Sequence, residues 1–410
     1  MVPMHVWSKI SLATTCALAL QHPRALGSEL PTPYEGVRPL GMGNAMTALA
    51  DDDNAPFYNP AGINKSHKAW SRGTFNYTRF PNIVAGANSA GQAFAKDYKK
   101  DTAEQIASKT DLIDAPFWTR AGAFPFTVIN TGGRPSNVLS FGIYTNTVAR
   151  ALIESTSTGQ AQVEAISDAG GVIGYGVANR NNRFTAGIQA RPVYRYAYED
   201  IIPTATLFDK SALQKRFKED ANKGLGFGVD AGVQMTFADF WFPTLGVAVL
   251  NLPTGCKADY LNPYSKQREN VCGTVFHGTF ANPDAVSSVD PTDIRIGIAA
   301  TPRFSRQLNM RLALDMHHIA IPAGSNTLGL NDVDTRKLVH GGAEIFWGNP
   351  LLPDPEWAVR LGANQGFITF GGTARVGILA FDLAIFGVDV SNTKTPKEDR
   401  RFISGLTLEF

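Results

Sequence analysis

The chain has 410 residues, of which 44% are hydrophobic and 18% charged, and its formal net charge is +2. Because 38 Lys and Arg nearly balance 36 Asp and Glu, no basic surface for nucleic acid is predicted. Beyond the first residues, no apolar run reaches the roughly eighteen residues of a membrane-spanning helix. A membrane β-barrel is compatible with these totals, since its alternating strands average to a similar composition.

Residues 1–27 are predicted to be a secretory signal peptide. Lys9 supplies an early positive charge, "ISLATTCALAL" is a short apolar run, and "RALG" places small residues before Ser28. The apolar run is too short to cross a bilayer as a helix. Cys16 follows "ATT", which lacks the Leu-plus-small pattern of a lipoprotein cleavage site. The mature chain is therefore expected to be exported.

The mature chain opens with "GMGNAMTALADDDNAPFYNPAGI", residues 41–63, which is rich in turn-forming residues. Asn tolerates turn geometry, Pro fixes its own φ and donates no hydrogen bond, and Ala-Gly keeps the chain thin. Two interpretations are open: a compact plug inside a larger structure, or a simple lead-in to the first strand. A calcium site at 51–53 is disfavoured, because adjacent carboxylates lack the alternating spacing of a calcium loop.

Alternation with period two runs through much of the remaining chain and predicts β-strands. In "FTAGIQARPVYRYAY" the even positions from Phe184 to Tyr198 are apolar, and in "LGFGVDAGVQMTF" the odd positions from Leu225 to Phe237 are apolar. The opposite faces carry Gly, Thr, Gln and isolated charges. A soluble β-sandwich would place more charge on its outer face, so this pattern favours a barrel with a polar lumen. The tyrosines at 194, 196 and 198 are expected to form part of an interfacial aromatic girdle.

About fourteen strands are predicted, near 69–79, 117–129, 137–149, 165–178, 183–198, 224–237, 243–252, 292–301, 309–319, 336–347, 356–364, 367–378, 380–390 and 401–410. The long connections are 80–116, 150–164, 199–223, 253–291, 320–335 and 391–400. With both termini periplasmic, these fall on the extracellular side, as in outer-membrane barrels. The hairpin at Gln365 and Gly366 is the exception, because it is short although it falls on the extracellular side. Two long loops, around 91–113 and 206–224, have helical spacing of apolar and charged residues.

Both ends of the mature chain resemble the FadL-type outer-membrane proteins, which include fatty-acid transporters, aromatic-hydrocarbon channels and PorV-like barrels. The N-terminal segment contains the Asn-Pro-Ala motif of that superfamily at Asn59, Pro60 and Ala61. "WAVRLGANQGF" and "VGILAFDLAIFGVDV" look like the closing strands of the PorV-like branch, and the last strand ends on Phe410. A terminal aromatic residue of this kind resembles the signal recognised by the barrel assembly machinery.

The resemblance implies an all-β fold, a transmembrane antiparallel β-barrel of about fourteen strands at 69–410 with an N-terminal hatch at 28–68. It implies an outer-membrane location among lipid, and hatch residues Gly41, Gly43, Asn59, Pro60, Ala61 and Gly62. The implied function is passive uptake of hydrophobic small molecules such as long-chain fatty acids or related lipids and hydrocarbons. The alternative is a PorV-like scaffold that docks secreted or surface proteins.

Catalytic motifs are missing from the sequence: there is no GxSxG, GxxxxGK[ST] or HExxH pattern. No catalytic residue, metal site or cofactor is therefore predicted. Asp315 and His317 share the predicted lumen face and are expected to form a hydrogen-bonded pair. Arg191, Arg195 and Asp230 are predicted to point inwards as lumen ligand candidates. Arg191 falls opposite Asp230, whereas Arg195, with no evident partner, could hold the carboxylate of an amphipathic ligand.

Cys256 and Cys272 are the cysteines that remain after the leader, and their spacing in an exported chain favours a disulfide. The sixteen-position interval is polar and contains Pro and Asn, so it is predicted to be an exposed loop. It does not match a CxxC redox motif or a metal site.

Overall fold

A computed structural model describes residues 29, 32–66, 75–92, 116–131, 137–155, 160–261, 268–280, 286–305, 307–319, 335–348, 356–390 and 396–409. The predicted signal peptide, the terminal Phe410 and most of the 91–113 segment lie outside the described residues.

Fourteen antiparallel strands form a closed barrel, which confirms the predicted fold class. The second strand has two segments, both paired with the strands on either side. The strands are β1 (Phe75–Asn88), β2 (Phe117–Ala123 and Phe126–Asn130), β3 (Asn137–Ser155), β4 (Gln160–Ala178), β5 (Phe184–Pro203), β6 (Asn222–Thr236), β7 (Thr244–Leu250), β8 (Asp293–Ala300), β9 (Leu308–Met316), β10 (Val339–Trp347), β11 (Trp357–Asn364), β12 (Phe367–Val376), β13 (Leu379–Asp389) and β14 (Glu398–Glu409).

The barrel closes because β1 pairs with β14 at the seam, while every other strand pairs with its sequence neighbours. Closure leaves no free sheet edge, which a spanning structure requires since lipid cannot satisfy backbone hydrogen bonds. Connections at one end of the barrel are short and include 179–183, 237–243 and 377–378; we call this the turn end. The opposite end carries the longer connections 89–116, 204–221, 251–292 and 317–338, and we call it the loop end.

The two faces of the barrel differ as the alternation predicts. Phe227, Ile298 and Leu314 point outwards and are 50%, 54% and 51% exposed. Asp230 and Gln234 alternate with the outward residues of β6 and are 1% exposed. The outer wall is therefore an apolar band and the inner wall is polar, the arrangement of a transmembrane barrel.

Two predicted boundaries are wrong. The first strand continues to Asn88 instead of ending at 79, because Pro81 lies inside it; the register shifts between Phe80 and Ile83, and a bulge accommodates the missing N–H. Its predicted start at 69 lies outside the described residues. The predicted long loop at 150–164 is also wrong. β3 and β4 continue until only residues 156–159 separate them, with Arg150 paired to Glu164.

A helical pair lies at the loop end and confirms the helical pattern predicted there. Numbered in chain order after α1 (Val37–Gly41) and α2 (Ala55–Tyr58), its members are α3 (Thr204–Phe208) and α4 (Lys210–Asp220). Asp209 begins α4 as its N-cap. Its carboxylate accepts hydrogen bonds from the Ser211 hydroxyl and from the N–H groups of Ala212 and Ser211, and these bonds hold the pKa of Asp209 below its usual value.

The predicted aromatic girdle needs a correction at the end of β5. Tyr194 is exposed, but Tyr198 is 1% exposed and its ring lies 4.6 Å from that of Phe217 on α4. The Tyr196 hydroxyl donates to the Phe217 carbonyl. Two of the three tyrosines therefore bind a helical loop above the barrel wall.

Cys256 and Cys272 form a disulfide, as predicted, with Cα atoms 3.9 Å apart. The bond joins two strands of a small sheet, Gly255–Leu261 and Arg268–Val275, and Val289–Pro291 is its third strand. Within the described residues, no helix is both long and apolar enough to cross a bilayer.

Candidate functional site: the lumen and the N-terminal segment

Residues 32–66, here called the N-terminal segment, lie inside the barrel. The segment contains α1 (Val37–Gly41), α2 (Ala55–Tyr58) and a 3-10 helix (Pro60–Asn64), and nearly all of its residues are buried. α1 contacts β11 to β14, and the 3-10 helix contacts β3 to β6. The segment therefore crosses the lumen from one wall to the other.

Asn59 fastens the Asn-Pro-Ala motif to the wall. Its side-chain oxygen accepts from the Ala61 N–H at 3.1 Å, and its amide donates to the Thr47 carbonyl at 2.8 Å and to the Val233 carbonyl of β6 at 3.1 Å. Its φ is −158°, so the left-handed geometry that Asn tolerates is not used here. Gly43 and Asn44 adopt that geometry instead, with φ values of 64° and 68°.

Glycines on the inner wall let the segment's backbone approach the strands. A Cβ added at Gly187 would lie 2.2 Å from the Pro60 carbonyl oxygen, and one at Gly342 would lie 2.3 Å from the Met42 carbonyl oxygen. The same holds at Gly246, where the Thr47 carbonyl oxygen would be 2.4 Å away. Real side chains do not fit at such distances. The Gly-rich lumen face seen in the sequence is thus the surface on which the segment lies.

Side chains of the wall satisfy the segment's backbone groups. The Asp315 carboxylate accepts from the Thr47 N–H at 2.6 Å, and Gln234 donates to the Thr47 carbonyl at 3.1 Å. Thr369 donates to the Gly41 carbonyl at 3.1 Å. An irregular buried chain needs such partners, because unpaired backbone groups are costly away from water.

Glu344 is the centre of an ion-pair cluster in the lumen. It is fully buried on β10 and accepts from Arg38 of the segment at 3.1 Å, from Arg311 at 2.8 Å and from Arg360 at 2.8 Å. Arg38 also binds Asp51 and Asp52, at 2.6 and 2.7 Å. The first two acidic residues of the "DDD" run therefore pair with arginine. Asp53 does the same with Arg79 of β1 at 2.7 Å.

Three carboxylates in a row had raised the possibility of calcium, which the sequence disfavoured. Among the residues that the structure describes, no group of three or more His, Cys, Asp or Glu side chains is placed to hold a metal ion.

Asp315 and His317 are in contact, with 3.3 Å between Oδ2 and Nε2, and the His317 ring stacks on His340 with centroids 4.2 Å apart.

The predicted contact between Arg191 and Asp230 is present, but the predicted register is wrong by two residues: Gly228 lies opposite Arg191 and Gln189 lies opposite Asp230. Arg191 Nε lies 3.3 Å from the Asp230 carboxylate, which also accepts from Gln189 at 2.7 Å and from the Asn251 N–H at 2.6 Å. The pair is buried and, through Asn251, joins β5 and β6 to the loop that follows β7.

The expectation that Arg195 lacks a partner is wrong. Its guanidinium is 0% exposed and binds Asp168 of β4 at 2.7 Å and Asp290 of the 251–292 loop at 2.6 Å. Antiparallel pairing places Asp168 directly opposite Arg195, so the register alone could have indicated this partner. Asp290 lies 95 positions away in the sequence and gave no such signal. In this arrangement Arg195 has no free donor for a ligand carboxylate.

A cavity of about 40 Å³ remains between the segment and the wall, which is room for a few water molecules. Both apolar rings and charged groups line it, including Tyr34, Phe57, Arg191, Asp230, Asn251 and Arg295. An acyl chain does not fit there.

No family model matches the sequence, and comparison with curated protein sequences finds no match. Solved structures do match. The deltaS2 mutant of the TodX monoaromatic hydrocarbon channel gives a TM-score of 0.51 at 11% identity, over 92% of this chain and 98% of that one. The TodX deltaS2S3 mutant gives 0.50 at 10% identity, over 92% and 99%. The Pseudomonas putida toluene transporter TodX is matched at 10% identity over 92% and 97%, but its TM-score of 0.46 is too low to add weight.

The closed barrel, its apolar outer band and its polar interior define an antiparallel β-barrel of the outer-membrane type. Within that class the chain shares the barrel fold of the TodX structures. These identities show the fold alone. Whether the chain is closer to the PorV-like branch stays a prediction.

Proposed function

We propose that the protein is an outer-membrane channel for passive uptake of hydrophobic small molecules, with long-chain fatty acids or related lipids and hydrocarbons as its substrates. The observation that carries this proposal is a barrel of the TodX type, matched over 92% of the chain, whose lumen holds its own N-terminal segment. The structures it resembles are named as hydrocarbon channels.

The N-terminal segment acts in this proposal as the hatch. It blocks the lumen, yet it is held by hydrogen bonds, ion pairs and backbone contact with glycines, and within the described residues the disulfide lies in the 251–292 loop and not between the segment and the wall. Displacement of part of the segment opens a path, and the polar wall groups then rearrange around the ligand. The hatch residues are Gly41, Gly43, Asn59, Pro60, Ala61 and Gly62.

An entry assay with purified protein in liposomes tests this function. We expect labelled long-chain fatty acid or toluene to enter faster than in protein-free liposomes, while a sugar of similar size does not. Native ligands extracted from the protein and identified by mass spectrometry provide a second readout. Equal entry of all probes with and without protein would exclude the channel function.

A second candidate is a scaffold that docks secreted or surface proteins, and the densely paired lumen favours it. Glu344 with its three arginines, and Arg195 with its two aspartates, are arrangements that also suit a permanently filled barrel. Proteins that co-purify in fixed stoichiometry from intact outer membranes, together with no probe entry, are the result that this candidate predicts. Fractionation of the two membranes tests the outer-membrane location in either case.

A further inference from the structure

The loop between β7 and β8 does not extend freely from the barrel mouth. Its described part, residues 251–261, 268–280 and 286–292, is here called the cap. Thr274 and Val289 are 0% exposed, and Ser287 and Asp290 are 1% exposed, although all four lie in the long connection 253–291 predicted for the extracellular side. The cap is therefore folded inwards over the loop end of the lumen.

Arg195 is the main attachment of the cap to the barrel. All five of its N–H groups donate hydrogen bonds. Nε and Nη2 donate to Asp168 at 2.7 Å each, and Nη1 and Nη2 donate to Asp290 at 2.6 and 3.1 Å. Nη1 also donates to the Ser287 carbonyl at 3.1 Å. The guanidinium carbon lies 4.0 Å from the centre of the Phe276 ring. Three of these contacts, to Ser287, Asp290 and Phe276, come from the cap.

A second set of contacts holds the cap along β6. His277 and Gly278 pair with Leu225 and Gly224 of that strand. The Asn251 N–H donates to Asp230 of the same strand at 2.6 Å, and the Asn251 side chain accepts from Arg191 of β5 at 2.5 Å. These contacts are uncharged or involve one charge, so each contributes less than the Arg195 cluster.

The charges in the Arg195 cluster favour reversible opening. One arginine lies between two aspartates, of which Asp168 belongs to the barrel wall and Asp290 to the cap. If the cap lifts, Arg195 keeps Asp168 as a paired neighbour and Asp290 passes into water. No unpaired charge is left buried on either side, which removes the main penalty of breaking a buried ion pair.

The disulfide gives the cap the means to move as one piece. Cys256 and Cys272 are cross-strand partners in its sheet, so the hairpin stays closed while the cap changes position.

We propose that the cap is a lid on the loop end of the barrel, that the Arg195–Asp290 contact is its latch, and that it opens as a disulfide-stabilised unit. The part of this inference that concerns passage through the lumen rests on the proposed function. The lid and the N-terminal segment are then two closures in series, at the mouth and within the barrel.

Hydrogen exchange of the folded protein in detergent tests the latch without any substrate. We expect Asp290→Asn to speed exchange in 271–276 and 286–291 by about tenfold, because one charged contact is lost, while β9 to β12 do not change. Asp239→Asn is the matched control, since its pair with Arg183 lies in an exposed turn at the other end. Unchanged exchange in the cap of Asp290→Asn would overturn the latch.

A reversible cross-link tests the lid. A Cβ at Gly228 would lie 3.2 Å from Thr274 Oγ1, so Gly228→Cys with Thr274→Cys can form a disulfide between β6 and the cap, in a Cys256→Ser, Cys272→Ser background. We expect fatty-acid entry to stop when this bond is oxidised and to return on reduction. Equal entry in both states, with an active wild type, would overturn the lid. If wild type itself admits no probe, the proposed function fails and hydrogen exchange still decides the latch.

Discussion

Arg38 and Glu344 lie 306 positions apart and meet inside the barrel, where Arg38 Nε and Nη2 donate to the two Glu344 oxygens at 3.2 and 3.1 Å. This bidentate contact joins the N-terminal segment to β10. Glu344 also binds Arg311 of β9 and Arg360 of β11, so Arg38 of the segment shares this carboxylate with two arginines of the wall. The barrel wall and the segment therefore depend on each other electrostatically.

Loss of this carboxylate should destabilise the whole barrel. In Glu344→Gln, the guanidinium groups of Arg38, Arg311 and Arg360 remain buried without their shared anion, and we expect a loss of about 3–5 kcal/mol. Heat-modifiable gel mobility measures the unfolding temperature. Asp239→Asn, which removes the exposed ion-pair partner of Arg183, is the control and should unfold at the same temperature as wild type. A Glu344→Gln barrel as heat-stable as this control would contradict the role of the cluster.

The outward face of β9 offers a test of the membrane-facing surface with one substitution at two depths. Leu312 is near the middle of the strand and Leu308 at its turn end, and both point outwards. We expect Leu312→Arg to cost about 2–4 kcal/mol and Leu308→Arg about 0–1 kcal/mol, because the cost of an arginine falls towards the interface. Equilibrium unfolding in lipid vesicles gives both values. Equal costs would place this wall outside a bilayer.

Glycine contact between segment and wall can be tested at Gly187. A Cβ there would meet the Pro60 carbonyl oxygen at 2.2 Å, so Gly187→Ala should push the 3-10 helix off β5, with a stability loss of about 1–3 kcal/mol and faster leakage of small solutes from liposomes. Gly372→Ala is the matched control, because its Cβ would lie 3.4 Å from the nearest atom outside its neighbours, the Ala358 carbonyl oxygen. If Gly187→Ala leaked no faster than wild type, the segment would tolerate displacement or would not seal the lumen.

The helical loop over β4 and β5 should depend on Phe217. Its ring packs on Tyr198, so Phe217→Ala should expose α4 to limited proteolysis while barrel mobility on gels stays unchanged. Gln214 is exposed on the same helix, and Gln214→Ala should resist protease like wild type. Identical cleavage of both variants would show that the tyrosines do not hold the helix.

Local pattern was sufficient for the barrel, because each strand shows its two faces within about ten residues of sequence. The alternation from Phe184 onwards predicted which residues of β5 face inwards. Arg191 and Asp230 do form a pair, although diagonally, because the predicted register of that hairpin is wrong by two residues. The predicted end of the first strand was wrong, because that strand is an exception to the rule that proline interrupts a strand. Pro81 lies inside β1 at a bulge, and no short-range signal separates that case from a strand end.

Contacts between distant parts of the chain could not be predicted from the sequence. Neither Arg38 with Glu344 nor Arg195 with Asp290 follows from periodicity, because each depends on how an irregular segment packs into the lumen. The Asn-Pro-Ala motif indicated that such a segment exists. It did not indicate that Asn59 would bind a strand carbonyl through its side chain.

A cross-link between the N-terminal segment and β6 tests the central claim most directly. A Cβ at Gly232 would lie 2.9 Å from the Asn59 Cγ, so Asn59→Cys with Gly232→Cys can form a disulfide once Cys256 and Cys272 are replaced by Ser. If a mobile segment gates passage of hydrophobic molecules, the oxidised protein in liposomes admits no labelled fatty acid and the reduced protein admits it. Entry at the same rate in both states would contradict gating by the segment, and no entry in either state or in wild type would contradict the channel itself.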